Sequence, residues 1–383
     1  MKAVCMCMGV DLPYSPKWYW PFEGYSGVPE MERYFDLNQI FSRFLEAEKE
    51  ILLLNKLLSE AIQRGGRYAF DLSGPFLEQC RWDSELLGSF RKLGKSGSLE
   101  FTGSCRYHSL SALYQDSGMF EEEVHSYRAL IRELLGIEPE TFVNTELLFS
   151  GNVENILDKM GYKCIIAEGS SNLLEGCRNP AYLYEGSKGQ LPTLLRHINL
   201  SEDLEIRFSD RKWESYPLLP QKFSDWISNI EGDVLTLYFN YTSLCFHKKK
   251  KSLIADFIRT LPETLKKRGI EMLTPSEAVK RFNSFKLPFL EREKTIRYGM
   301  NNAIGNHAQH LYLRELLNVG EELENAKQSH NYWKLKRVFG YLQQSEIFFA
   351  MNSGTNVREG YERAVNYFSI LSDFRRAVIE EGT

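Results

Sequence analysis

The feature that most constrains this chain is an alternation: over roughly its first 280 residues, short apolar runs of β type are separated by longer amphipathic stretches. The runs cover residues 2–10, 68–72, 98–102, 141–145, 163–167, 204–208 and 234–239. Between the first two, residues 35–64 carry Phe41, Phe44, Leu45 and Ile51 at helical spacing. Strand and helix in alternation predict an α/β fold with parallel strands, because parallel neighbours need a crossover between them.

The runs end in a regular way. Asp11, Asp71, His108, Glu146, Glu168, Asp210 and Asn240 lie at or just beyond their carboxyl ends. Polar residues follow strands simply because loops are polar, but in a parallel barrel such positions converge on one mouth, where active sites are built. From about Lys286 the pattern changes to long amphipathic segments at 293–322, 333–351 and 359–381, which predict about three helices with a turn at 352–356. The expected division is a barrel domain over 1–285 and a helical domain over 286–383.

A formal net charge of −4 argues against nucleic acid or an anionic membrane as partner. The basic run His247–Lys251 reads as a solvated loop or helix start. The apolar N-terminus stops at Asp11 and Pro13 without a small-residue cleavage site, so it reads as a buried strand, and no run reaches the roughly 18 apolar residues of a membrane span. The seven cysteines are scattered and form no CxxC pair, which predicts reduced thiols in a cytoplasmic protein, with Cys5 and Cys7 at alternating strand positions.

No Gly-rich phosphate loop, HExxH, GxSxG or paired-cysteine zinc pattern occurs, so nucleotide, zinc-protease and serine-hydrolase chemistry has no support, and neither cofactor nor metal is expected. Carboxylates and histidines at strand ends remain, and two carboxylates flanking a glycosidic bond is the commonest chemistry that needs only those. The aromatic cluster Tyr14, Trp18, Tyr19, Trp20, Phe22 and Tyr25 after the first run suits a sugar-stacking rim, or equally a packed loop.

The segment Gly136-Ile-Glu-Pro-Glu-Thr-Phe-Val-Asn-Thr-Glu-Leu-Leu-Phe149 resembles the nucleophile region of the glycoside hydrolase family 57 α-amylases and glucanotransferases. Phe70-Asp-Leu-Ser-Gly-Pro-Phe-Leu-Glu-Gln79, Tyr107-His-Ser-Leu110, Leu195-Arg-His-Ile-Asn-Leu-Ser-Glu-Asp203 with Arg207-Phe-Ser209, and Leu342-Gln-Gln-Ser-Glu346 fall in the family's order. The resemblance implies a seven-stranded (β/α) barrel, distorted and TIM-like. A C-terminal helical domain lends residues to the cleft, and the activity is on α-glucans with retention of configuration. It matches Glu146 to the nucleophile and His108 to a histidine of the sugar site.

Three positions depart from the family pattern. Where the family has a general acid/base Asp in a stretch like Met-Asp-Tyr-Glu, this chain reads Phe239-Asn240-Tyr241-Thr242; where it has His-Gln-Pro, this chain has Asp11-Leu12-Pro13; and an Asp-His pair becomes Glu346-Ile347. A carboxylic acid must protonate the departing sugar oxygen, and the amide of Asn240 has no proton to transfer, a loss of roughly 10²- to 10⁴-fold.

Two readings follow. In one, the protein is an inactive or weakly active α-amylase-like protein that binds an α-glucan or malto-oligosaccharide. In the other, the acid role has moved to Asp11 or Glu346, provided the cleft is not filled by side chains such as Phe246 or Ile347. Trp18 and Trp213 are candidate sugar platforms, or packed aromatics. Arg196, Asp203 and Arg207 read as an ion-pair network, and a homo-oligomer is left open.

Overall fold

The computed structural model describes the whole chain except residues 21–26, 115–117, 172, 175–178, 187–190, 245–250, 288–293, 353–355 and 383. Seven strands form a ring: β1 (Ala3–Val10), β2 (Tyr68–Leu72), β3 (Leu99–Phe101), β4 (Thr141–Val143), β5 (Cys164–Glu168), β6 (Thr193–Arg196) and β7 (Val234–Asn240). Every contact between ring neighbours is parallel. β1 lies between β2 and β7, with Cys7 opposite Ala69 and Gly9 opposite Asn240. Two seams are narrow: β3 reaches β4 only through the Gly103–Phe142 bridge, and β6 reaches β7 at Arg196 opposite Thr236. The result is a nearly closed seven-stranded parallel barrel.

The alternation within β1 explains its burial on both sides. Ala3, Cys5 and Cys7 point into the barrel with Val143, Cys164 and Leu194, while Val4, Met6, Met8 and Val10 pack outward on Ile51, Leu54 and Leu58 of helix α1 (Leu37–Gln63). A seven-stranded barrel is too narrow for large side chains from every strand, and β1 supplies the small ones. A Cβ added at Gly9 would meet the Tyr238 hydroxyl at 2.5 Å. The five described cysteines are buried free thiols; Cys177 and Cys245 lie outside the described residues.

One expected strand is wrong. Residues 204–208 do not form the sixth strand; they lie in a wide helical turn, Asp203–Arg207, that continues the helix Ile198–Glu202, and the strand is β6 instead. The alternation of Leu204, Ile206 and Phe208 mimics period two, but Leu204 and Phe208 are also four apart. Both are buried in the core while Ile206 is 55% exposed. Asp210, expected at the mouth, is consequently an exposed turn residue whose carboxylate accepts the Lys212 N–H at 2.8 Å.

Beyond the barrel the chain forms five helices among the described residues rather than about three: Met300–Ile304, His307–Asn325, Tyr332–Leu342, Ser345–Ala350 and Val357–Gly382. The first expected segment breaks at Gly305 and Asn306, whose side chain caps the second helix by accepting the Gln309 N–H. The segment expected at 333–351 breaks at Gln343 and Gln344. Of the expected turn at 352–356, residues 353–355 lie outside the described residues.

These helices share a core with Tyr14, Tyr19, Tyr34 and Phe35 from the loop after β1, so they sit over the carboxyl end of the barrel. Two amides fix that loop. Gln344 accepts from Tyr14 N–H (2.8 Å) and donates to its carbonyl (3.0 Å), and Asn366 does the same for Tyr19 N–H (2.8 Å) and the Lys17 carbonyl (2.9 Å). Among the described residues no helix is long and apolar enough to cross a membrane.

Candidate active site

Five side chains from five elements meet at the mouth. Asp11 follows β1, Asp71 sits in β2, His108 follows β3, Glu146 follows β4, and Glu346 comes from the helix Ser345–Ala350. Three residues here hold left-handed backbone without being glycine: His108 (φ 53°), Glu146 (φ 51°) and Leu147 (φ 54°). Such conformations cost about 1–3 kcal/mol each and persist only where neighbours enforce them. The Asn144 amide accepts the Thr145 N–H and donates to the Leu148 carbonyl, both at 2.9 Å, and the Glu146 carbonyl accepts the Arg297 N–H at 2.7 Å. The His108 carbonyl likewise accepts the Ser345 N–H at 3.0 Å, so the helical unit fixes the loop that carries the histidine.

The group is electrostatically coupled. His108 Nδ1 lies 3.4 Å from Asp11 Oδ2 and 3.3 Å from the Ser345 hydroxyl. Burial pulls the imidazole down, but Asp11, Glu146, Asp71 and Glu123 outweigh it and hold its pKa above the ordinary value. Burial pushes the Glu146 carboxyl up; His108 and Arg297 pull against this, and Asp11 and Glu205 add to it. Glu346, itself exposed, is raised by desolvation and by Asp11 and Glu146. Asp71, buried and accepting the Tyr238 hydroxyl at 2.8 Å, is pushed up to about 6.

The opposite wall is different. Asn240 closes β7, and its side-chain oxygen accepts both the Thr242 N–H (2.9 Å) and the Thr242 hydroxyl (2.7 Å). The amide satisfies its acceptor within its own turn and offers the cleft only N–H donors.

Below Glu146, Arg196 donates to Glu168 at 3.0 Å and to the Tyr238 carbonyl at 2.8 Å, and Arg297 pairs with Glu205. The expected single network of Arg196, Asp203 and Arg207 is therefore two: Arg207 pairs with Asp203 and Glu202, while Arg196 pairs with Glu168 and, at 3.9 Å, Glu205. Arg297 lies in the site without any sign in the sequence, while Ser345 falls within the motif 342–346 and Glu205 within the run 204–208 without having been singled out.

The two tryptophans part company. Trp18, 60% exposed, lines with Glu346, Arg363 and Tyr367 a cavity of about 720 Å³ beside the cleft. Trp213 packs edge-on against Trp226 of the helix Pro220–Ser228, on the outer helical layer, and makes none of the contacts that join the carboxylates at the mouth. Ile347 is buried in the helical core and so does not fill the cleft; Phe246 lies outside the described residues. Among the described residues no group of three or more His, Cys, Asp or Glu side chains could hold a metal ion.

The fold of this chain is similar to that of two solved branching enzymes. One, family 57-type, from Pyrococcus horikoshii, matches with a TM-score of 0.71 over 100% of this chain and 92% of that one, at 14% identity. The other, from Thermococcus kodakaraensis, matches with a TM-score of 0.69 over 98% and 90%, at 11% identity. A Methanocaldococcus jannaschii protein provisionally named an α-amylase is 28% identical over 91% of this chain and 79% of its own length. The glycosyl hydrolase family 57 profile matches residues 20–291, and the chain belongs to that family.

Proposed function

We propose that the mouth of the barrel binds an α-glucan chain, with Glu146 as the nucleophile position and no acid at the proton-donor position. The observation that carries this reading is the contrast between Glu146, a strained carboxylate opposed by His108 and Arg297, and Asn240, an amide whose acceptor is used by Thr242. Trp18 and the neighbouring cavity supply a flat apolar face for a sugar ring, while Asp11, His108 and Glu346 supply hydroxyl partners. Such a site retains sugar binding and loses turnover of unactivated glucans. Buried reduced thiols fit a cytoplasmic setting.

The experiment is incubation with α-maltosyl fluoride. The Glu146 carboxylate attacks the anomeric carbon, the carbon–fluorine bond breaks, and fluoride leaves with the electron pair and needs no proton. With no base at Asn240 to activate water, the ester accumulates. Mass spectrometry then finds one maltosyl group on the peptide containing Glu146, and none in Glu146→Gln. Absence of the adduct in the wild-type protein, with the fluoride intact, refutes the reading.

A second reading has one observation in its favour: the Glu346 carboxyl is raised, as a proton donor's must be, by desolvation and by Asp11 and Glu146. Cleavage of maltoheptaose by the wild-type protein, lost in Glu346→Gln, selects it.

A further inference from the structure

The segment 295–299 runs alongside the loop that carries Glu146. Thr295 and Phe149 exchange backbone hydrogen bonds at 2.8 and 3.0 Å, and the Arg297 N–H reaches the Glu146 carbonyl at 2.7 Å. A turn closes directly afterwards, where the Gly299 N–H donates to the Ile296 carbonyl at 3.1 Å. Tyr298 is the third residue of that turn, with a φ of 63°. A positive φ at this place favours glycine or asparagine, and a bulky residue persists there only where the flanking bonds over-determine the backbone. The Asn302 side-chain amide adds one more such bond, donating to the Tyr298 carbonyl at 2.7 Å.

Core packing does not account for a side chain kept at this cost, because Tyr298 is 49% exposed. The Arg297 guanidinium lies over its ring, 4.6 Å from the centroid, and its hydroxyl stands 3.5 Å from Oε1 of Glu205, the carboxylate that pairs with Arg297. Burial pushes the phenol up to about 12; Arg297 pulls against this, and Glu205 and Glu146 add to it, so the side chain is neutral at physiological pH. The result is a flat, uncharged, half-exposed ring, fixed beside the proposed nucleophile by backbone bonds. Such a ring suits contact with the C–H face of a sugar, which packs on an aromatic surface.

We propose that Tyr298 is a sugar-stacking residue of the cleft, on the Arg297 side of Glu146, as Trp18 is beside Glu346. The ligand class rests on the α-glucan reading of the cleft.

Calorimetric titration of the full chain with maltoheptaose tests it. Tyr298→Gly, which suits the backbone, weakens binding by about tenfold, the scale of one stacked ring, without lowering the melting temperature. Tyr298→Phe, which keeps the ring, binds like the wild type. Nitration of the wild-type protein by tetranitromethane gives a readout that needs no variant: saturating maltoheptaose slows modification of Tyr298 and leaves unchanged that of Tyr361, 70% exposed on the helix Val357–Gly382. Unchanged affinity in Tyr298→Gly, or nitration of Tyr298 indifferent to the sugar, overturns the proposal, and weaker binding by Asp11→Ala in the same titrations spares the cleft. Equal losses in Tyr298→Phe and Tyr298→Gly assign the contact to the hydroxyl and overturn the stacking. No binding by the wild type at millimolar maltoheptaose overturns both the proposal and the α-glucan reading.

Discussion

The two walls of the barrel mouth invite comparison. On one, Glu146 and His108 are held in left-handed backbone by partners from distant parts of the chain, and their ionisation is shifted by burial together with each other, Asp11, Asp71, Arg297 and Glu205. On the other, Asn240 bonds to a residue two positions away and stays out of that coupling. Backbone strain and electrostatic coupling mark the wall that carries the proposed nucleophile, and local bonding marks the wall that carries the proposed acid position.

The largest test of this contrast is on the coupled wall. Glu146→Gln lowers the reaction with a glycosyl fluoride by about 10⁴-fold or more, the scale of deleting a nucleophile. On the relaxed wall, Asn240→Asp alone gains little activity on maltoheptaose, because the two Thr242 donors would hold the new carboxylate ionised. Adding Thr242→Glu removes the hydroxyl and introduces a repelling charge. The double variant is expected to gain roughly 10²- to 10⁴-fold in kcat, and equal activity of single and double variants contradicts the argument.

Next in size is Arg297→Met. It leaves Glu205 and Glu146 without their buried cation, and denaturant unfolding at neutral pH should show a loss of about 3–5 kcal/mol. Arg207→Met, which breaks a half-exposed pair in the neighbouring turn, should cost about 1 kcal/mol or less.

A further effect, between those two in size, is a pH dependence. The folded pKa of Asp71, about 6, lies above its unfolded value, so the folded state keeps a proton between about pH 4 and pH 6 that the unfolded chain has released. The associated stability is present below pH 4 and is lost as pH rises through 6. Asp71→Asn, which still accepts the Tyr238 hydroxyl, should be more stable than wild type by about 2–3 kcal/mol at pH 8 and near equal at pH 4. A constant difference across that range contradicts the assignment.

Much of the barrel was legible because its strands are short apolar runs bounded by turn residues, and six of the seven lie where period and composition put them. The sixth was missed because Leu204, Ile206 and Phe208 satisfy strand and helix spacing alike, while the true strand, Thr193–Arg196, has only four residues to show a period. The helical region was over-joined because Gly305–Asn306 and Gln343–Gln344 interrupt the chain without proline. Asp11, His108, Glu146 and Glu346 could be found from strand ends and family likeness. Arg297 could not: it enters the site from an irregular segment through a backbone hydrogen bond to Glu146, and such contacts leave no periodic trace.

The most direct test of the central claim is the ratio of two rates on one preparation: consumption of α-maltosyl fluoride and cleavage of maltoheptaose. Fluoride release that depends on Glu146, alongside intact maltoheptaose, is the predicted result, since only the second substrate needs a proton. Cleavage of maltoheptaose at a comparable rate would contradict it and establish that another group in the cleft does the work of the missing acid.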